Sequence, residues 1–232
     1  MNIIITGASR GIGYHIVKNL IANNTTSNKV FATSRNIDEL NSLASKHNNL
    51  IPVKCDINSE TEIEKLKSIV KSHVDHIDIL INNAATIINK EFTEITGDEI
   101  DCVFSANFKA PFMMIKYFLP MLKAKSNAHV INISSMGGFQ GAQKFPGLSV
   151  YSSSKAALSC LTECLAEELK QTGISINALC IGAVQTEMLS EAFPGYVAPV
   201  TAAQMADFIC NFAFNSHKMM NGKIIPVALS TP

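Results

Sequence analysis

Tyr151-Ser152-Ser153-Ser154-Lys155 sets a phenol and an ammonium four residues apart, so a helix carries both on one face. A free tyrosine, with a pKa of about 10, is a poor base near neutral pH. A neighbouring positive charge favours the phenolate and lowers that value. Bringing it to about 7 takes roughly 4 kcal/mol of differential stabilisation, at about 1.36 kcal/mol per unit. Such a pair can give a proton to, or take one from, an oxygen whose carbon is changing oxidation state. The spacing alone is common on solvated helix surfaces, so its weight depends on what accompanies it.

Near the start, Thr6-Gly7-Ala8-Ser9-Arg10-Gly11-Ile12-Gly13 follows an apolar run and opens a helical stretch. Glycines there let the backbone turn tightly and approach a pyrophosphate, whose charge then sits on the helix N-terminus. The next apolar run ends Thr33-Ser34-Arg35. A site that reads an adenosine ribose 2′-hydroxyl usually has Asp or Glu near this point. Ser34 brings no negative charge to repel a 2′-phosphate there. Arg10 and Arg35 are the only arginines among 19 basic residues, and a planar guanidinium fork suits a phosphate. Gly7, Ser9, Arg10, Gly11, Ile12, Gly13, Ser34 and Arg35 are the candidate cradle for a phosphorylated dinucleotide, NADP(H).

The octet resembles the cofactor motif of the short-chain dehydrogenase/reductase family, and the likeness continues along nearly the whole chain. Cys55-Asp56-Ile57 is similar to the family's Asp-Val/Ile pair, in which the Asp meets the adenine amino group. Asn82-Asn83-Ala84-Ala85 resembles the Asn-Asn-Ala-Gly signature that borders the adenosine ribose, with Ala85 in place of Gly. Asn107, Ser135, Tyr151 and Lys155 resemble the family's catalytic tetrad. In that likeness the serine orients the substrate oxygen, and Lys155 also holds the nicotinamide ribose. Asn107 helps retain a water chain to the lysine. Alternation along Val130–Ile133 does not decide between Ser134 and Ser135; the family pattern, with the serine second in the pair, implies Ser135. Ile181-Gly182-Ala183-Val184-Gln185-Thr186 resembles Pro-Gly-x-x-x-Thr, with Ile181 for Pro.

The resemblance implies an NADP(H)-dependent oxidoreductase interconverting a small-molecule ketone or aldehyde and its alcohol. It adds Asp56, Ile57, Asn83, Ala84, Tyr151, Lys155, Gly182 and Thr186 to the cofactor contacts, and it implies a homodimer or homotetramer paired through the two long helices. A reading of another class, a non-catalytic NADP(H)-binding sensor or scaffold, is disfavoured by the presence of both Tyr151 and Lys155.

Positioning these residues requires strands that deliver loops to one edge. Short β-branched runs occur at Asn2–Thr6, Lys29–Ser34, Ile51–Lys54, Ile77–Asn82, Ala128–Ser134, Ser175–Ile181 and Lys223–Val227. Thr61–His73, Gly97–Ala124 and Tyr151–Thr172 have an apolar period near 3.6, and Thr201–Phe214 also reads as helical. The alternation predicts one α/β domain over residues 1–232. It is a doubly wound Rossmann fold, with a seven-stranded parallel sheet and helices on both faces. Asn23–Asn28 reads as a loop.

Two segments bear on substrate access. Met136–Val150 holds four glycines and Pro146, which predicts a loop walling the substrate pocket with Phe139, Phe145 and Leu148. Glu187–Val200 contains Pro194, Gly195 and Pro199, which predicts a short connection covering little. The expected pocket is open, bounded by Phe139, Phe145, Met188, Phe193 and Tyr196.

Composition excludes other classes. The formal net charge is +0 and the hydrophobic content 47%, so no footprint for nucleic acid or an anionic membrane exists. No apolar run approaches the roughly 18 residues of a bilayer span, and the start reads directly into a strand rather than a leader. A cytoplasmic enzyme is expected. The six cysteines show no CxxC spacing, and Cys160 and Cys164 are read as packing on a helix face. No metal is expected.

Overall fold

Ile3, Ile4 and Ile5 are consecutive, and all three are fully buried, so the strand that carries them must be covered on both faces. The computed structural model, which describes residues 1–22 and 29–229, shows how. In chain order its elements are β1 (Asn2–Thr6), α1 (Gly11–Ala22), β2 (Lys29–Ser34), α2 (Asp38–Ala44), β3 (Leu50–Lys54), α3 (Glu60–His73) and β4 (Ile79–Asn82). There follow α4 (Gly97–Phe104), α5 (Ala110–Lys123), β5 (His129–Ser135), α6 (Ser149–Glu168) and β6 (Ser175–Ile181). The chain continues with β7 (Val184–Gln185), α7 (Glu187–Ala192), β8 (Val200–Thr201), α8 (Ala202–Asn215) and β9 (Ile224–Val227). The loop expected at Asn23–Asn28 lies outside the described residues.

Seven strands form one parallel sheet in the order β3-β2-β1-β4-β5-β6-β9. Alternation sends Ile3 and Ile5 to one face, where they join Ile16 and Val17 of α1 and Ile209 of α8. Ile4 points to the other, among Leu66 of α3 and Met114 and Phe118 of α5. This is the doubly wound arrangement expected. Strand order reverses between β1 and β4, and in such folds the crevice beyond the carboxyl ends at that point takes the ligand.

Helix starts follow their side chains. Ser59 caps α3 by accepting from Glu62 N, and Thr96 with Glu99 forms a capping box on α4. Thr201 with Gln204 does the same for α8, so the helix expected from Thr201 has that residue as its cap.

The stretch expected as one helix over Gly97–Ala124 is interrupted by a π-helical turn, Ser105–Lys109. Pro111 supplies a reason. It has no N–H, so it cannot donate to the carbonyl of Asn107 as an uninterrupted α-helix would require. The strand expected from Ile77 begins at Ile79, because Ile77 N donates to Met121 O beyond the sheet. Cys160 and Cys164, expected to pack, are both exposed. Among the described residues no helix is long and apolar enough to cross a membrane.

Candidate active site

Strand β1 delivers the glycine turn to the crevice. Gly7 and Gly11 sit at φ +67° and +54°, a region that L side chains rarely adopt. A Cβ on Gly13 would lie 2.2 Å from Gly7 O, so only glycine lets α1 start that close to the strand. The loop after β4 is stitched to this turn. Asn83 Nδ2 donates to Thr6 O and Gly7 O, both at 3.0 Å, while Thr6 Oγ1 accepts from Asn83 N and Ala84 N.

One cleft collects most of the residues singled out above. Where β2 and β3 end, it is lined by Ser9, Arg10, Ser34, Arg35, Asp56 and Ile57. Ser34 Oγ donates to Ser9 Oγ at 2.8 Å. Asp56 is held in a turn, its carboxylate accepting from Asn58 N at 3.0 Å. Thr33, fully buried, also borders this end, where burial pushes the Cys55 thiol up to about 11 and a hydrogen bond with Thr33 acts in the opposite direction. At the other end Gly11, Ile12, Tyr151, Lys155 and Thr186 line the same cleft. Gly182 lies at the end of β6, its N–H donating to Val227 O at 2.9 Å.

Helix α6 brings Tyr151 and Lys155 onto one face, as their spacing required. Lys155 is 2% exposed, and its Nζ donates to Ile133 O at 2.8 Å while lying 5.9 Å from the centre of the Tyr151 ring. Burial pushes the Lys155 ammonium down to about 8, because a charge leaves water at a cost. Burial likewise raises the Tyr151 phenol, and a hydrogen bond from Ser135 acts in the opposite direction.

The two serines at the end of β5 face different surroundings. Ser134 Oγ donates to Lys155 O at 2.9 Å and meets Ser159 Oγ at 3.0 Å, buried beneath α6. Ser135 is half-buried and its Oγ accepts from Gly137 N at 3.1 Å; of the two, Ser134 lines the cleft.

Asn107 is fully buried, and its side chain is spent. Its Oδ1 accepts from Thr86 N at 2.9 Å, and its Nδ2 donates to Thr86 O at 2.9 Å and to Ser154 Oγ at 3.0 Å. Thr86 and Ser154 went unrecognised in the sequence, where Ser154 is the last of three serines and nothing marks it out.

The connection expected to cover little is tethered to the rest of the chain. Residues 186–199 leave and return through the parallel pair β7 and β8, and Gln185 ties the segment to itself through Ser190 Oγ and Ala198 N. Arg10 Nη1 donates to Glu191 Oε1 at 2.9 Å, and Asn89 Nδ2 donates to Ala192 O at 2.9 Å. Helix α7 thus spans from the glycine turn to the loop after β4. The expected pocket wall divides accordingly. Met188 lines the cleft, while Phe139, Phe145 and Leu148 line a separate hollow beside Ser152 and Ala156. Phe193 and Tyr196 line neither.

Comparison with known proteins agrees with this geometry. A family model described as short chain dehydrogenase matches residues 1–196. The ketoacyl reductase HetN of a Nostoc species is 32% identical over 191 residues, covering 80% of this chain and 64% of that protein. The Pseudomonas aeruginosa RhlG/NADP active-site complex superposes with a TM-score of 0.85 at 26% identity, covering 98% of this chain and 94% of that one. A 3-ketoacyl-(acyl-carrier-protein) reductase of Brucella melitensis, complexed with NADH, gives 0.87 at 21% identity over 98% and 96% of the two chains, a likeness of fold alone.

Proposed function

This chain belongs to the short-chain dehydrogenase family of oxidoreductases, and we propose that it uses NADP(H) to reduce a ketone or aldehyde to an alcohol, or to run the reverse. The observation that carries this reading is Lys155, 2% exposed and lying close to the Tyr151 ring, in the cleft that the glycine turn lines.

The cleft fits a dinucleotide. Gly7 and Gly13 remove the side chains that would separate the turn from its neighbours. Ser34 and Arg35 suit a ribose phosphate, and Lys155 Nζ donates one hydrogen bond to protein, leaving N–H groups for ribose hydroxyls. When bound, the nicotinamide supplies or accepts the hydride.

The protein's own part is proton transfer and orientation. Tyr151 gives its proton to the carbonyl oxygen, and Ser135 donates a hydrogen bond that fixes that oxygen beside the phenol. Lys155 lowers the cost of the phenolate that results. The N-terminal end of α6, whose first turn contains Tyr151, adds a field of the same sign. Asn107, next to the Tyr151 helix through Ser154, would help retain water on the route that reprotonates Lys155.

The Nostoc relative's name and the Pseudomonas complex support a carbonyl substrate and NADP(H) respectively. Pairing into a homodimer or homotetramer through α5 and α6 in the cytoplasm completes the proposal.

The test is NADPH consumption with diketones and aromatic aldehydes, in the wild type and in Tyr151→Phe. Turnover falling about a hundredfold or more in the variant, with NADPH still bound, supports the reading. A wild type that binds NADPH and leaves every carbonyl untouched favours the sensor reading instead.

A further inference from the structure

We propose that Glu191 sets cofactor preference by occupying Arg10, and that a ribose 2′-phosphate must displace it to recruit that arginine. The proposal rests on the NADP(H) reading above.

Arg10 stands beside Ser9, whose hydroxyl meets Ser34 at the end of the cleft beside β2 and β3. Its guanidinium, however, donates to Glu191 on α7 at 2.9 Å. The two side chains are 53% and 65% exposed. Ion pairs that exposed are worth little, so this one yields to a better partner. A phosphate dianion is such a partner, because it accepts both arms of the fork and carries more charge. NADH has no phosphate at that position and leaves the pair intact.

The same helix carries a second acid. The Glu187 carboxylate lies 3.5 Å from where a Cβ on Gly11 would stand, on the side of the turn that suits the pyrophosphate. Glu187 and Glu191 are four residues apart and share a helix face. Both cofactors meet Glu187, whereas only the phosphorylated one contends with Glu191. Loss of the Arg10 contact also removes one of the two tethers on α7 and leaves the Asn89–Ala192 bond. Recognition of the 2′-phosphate is thereby linked to the tethering of α7.

Calorimetric titration of NADPH and NADH tests this directly. Glu191→Gln is expected to tighten NADPH about fivefold and NADH less than about twofold, a selective gain of about 0.5 kcal/mol or more. In an Arg10→Ala background the same substitution is expected to change neither, which isolates the pair as a coupled unit. Glu187→Gln is expected to move both cofactors equally.

An unchanged NADPH-to-NADH ratio in Glu191→Gln overturns the proposal. So does a ratio that still rises in the Arg10→Ala background, or one that Glu187→Gln reproduces, since each marks a general charge effect. Failure of the underlying reading looks different: wild type and Arg35→Ala would both bind NADH as tightly as NADPH. The Glu191 proposal would still stand or fall on whether its substitution favours NADPH through Arg10.

Discussion

Asn107 Nδ2 donates to Ser154 Oγ at 3.0 Å, joining the π-helical turn to the helix that carries Tyr151. Ser154 passes the link on, donating to Tyr151 O at 2.7 Å. Both residues are fully buried. Ser154→Ala leaves a buried Asn107 N–H without a partner, which costs about 1–3 kcal/mol. The urea midpoint should drop accordingly. Turnover should fall about tenfold while NADPH affinity stays within about twofold, because the loss is in positioning the phenol. Equal losses in binding and turnover would sink this account of Ser154.

Ser135 and Ser134 should separate cleanly by readout. Ser135→Ala removes the hydroxyl proposed to orient the substrate oxygen and should cut turnover about a hundredfold or more. Ser134→Ala removes a buried link to Lys155 O and Ser159, and should cost about 1 kcal/mol of stability with turnover changed only a few-fold. Thermal melts and steady-state rates on both variants decide the matter, and the reverse pattern would assign the chemistry to Ser134.

Cofactor preference is the third expectation. Ser34 offers no carboxylate and Arg35 is exposed at the cleft rim. NADPH should bind at least about tenfold tighter than NADH, a difference of about 1.4 kcal/mol. Arg35→Ala should erase most of that difference and leave NADH nearly unchanged. A wild type that binds NADH equally well contradicts it.

Acid sensitivity should centre on His129. It is 1% exposed, with Nδ1 at 3.1 Å from Ala213 O and Nε2 at 3.1 Å from Asn177 Nδ2. Those partners suit a neutral ring. Burial lowers its pKa to about 4, with His217 adding repulsion. The unfolded chain therefore binds a proton that the folded chain refuses between about 6.5 and 4. The stabilisation is fully present above about pH 6.5, is lost as pH falls toward 4, and amounts to roughly 3 kcal/mol. Urea midpoints at pH 7.5 and 5 should differ far more in the wild type than in His129→Gln. Identical pH dependence in the two would rule the residue out.

The fold was legible because its signals are local. A run such as Asn2–Thr6 between a start and a glycine turn admits few structures, and the 3.6 period of Thr61–His73 is set by one helix face. Much of the cleft followed, since β-strand ends carry the glycine turn, Ser34 and Arg35 to one edge whatever the loops do. What escaped were groups whose role exists only through a distant partner. Thr86 and Ser154 matter because Asn107 reaches both, across 21 and 47 residues of sequence. The helix and tethers of residues 186–199 depend on Arg10 and Asn89, 181 and 103 residues away. Prolines in that segment pointed to a constrained path and said nothing of what would hold it.

The pairing of Val184–Gln185 with Val200–Thr201 has a consequence for how such a chain can change. With its two ends fixed side by side, the intervening segment is a closed loop whose ordering entropy grows only slowly with length. Doubling it costs about 0.6 kcal/mol. Insertions there leave strand register, glycine turn and the Tyr151 helix untouched. Longer loops grafted between Thr186 and Pro199 should therefore give folded proteins that keep the cleft intact.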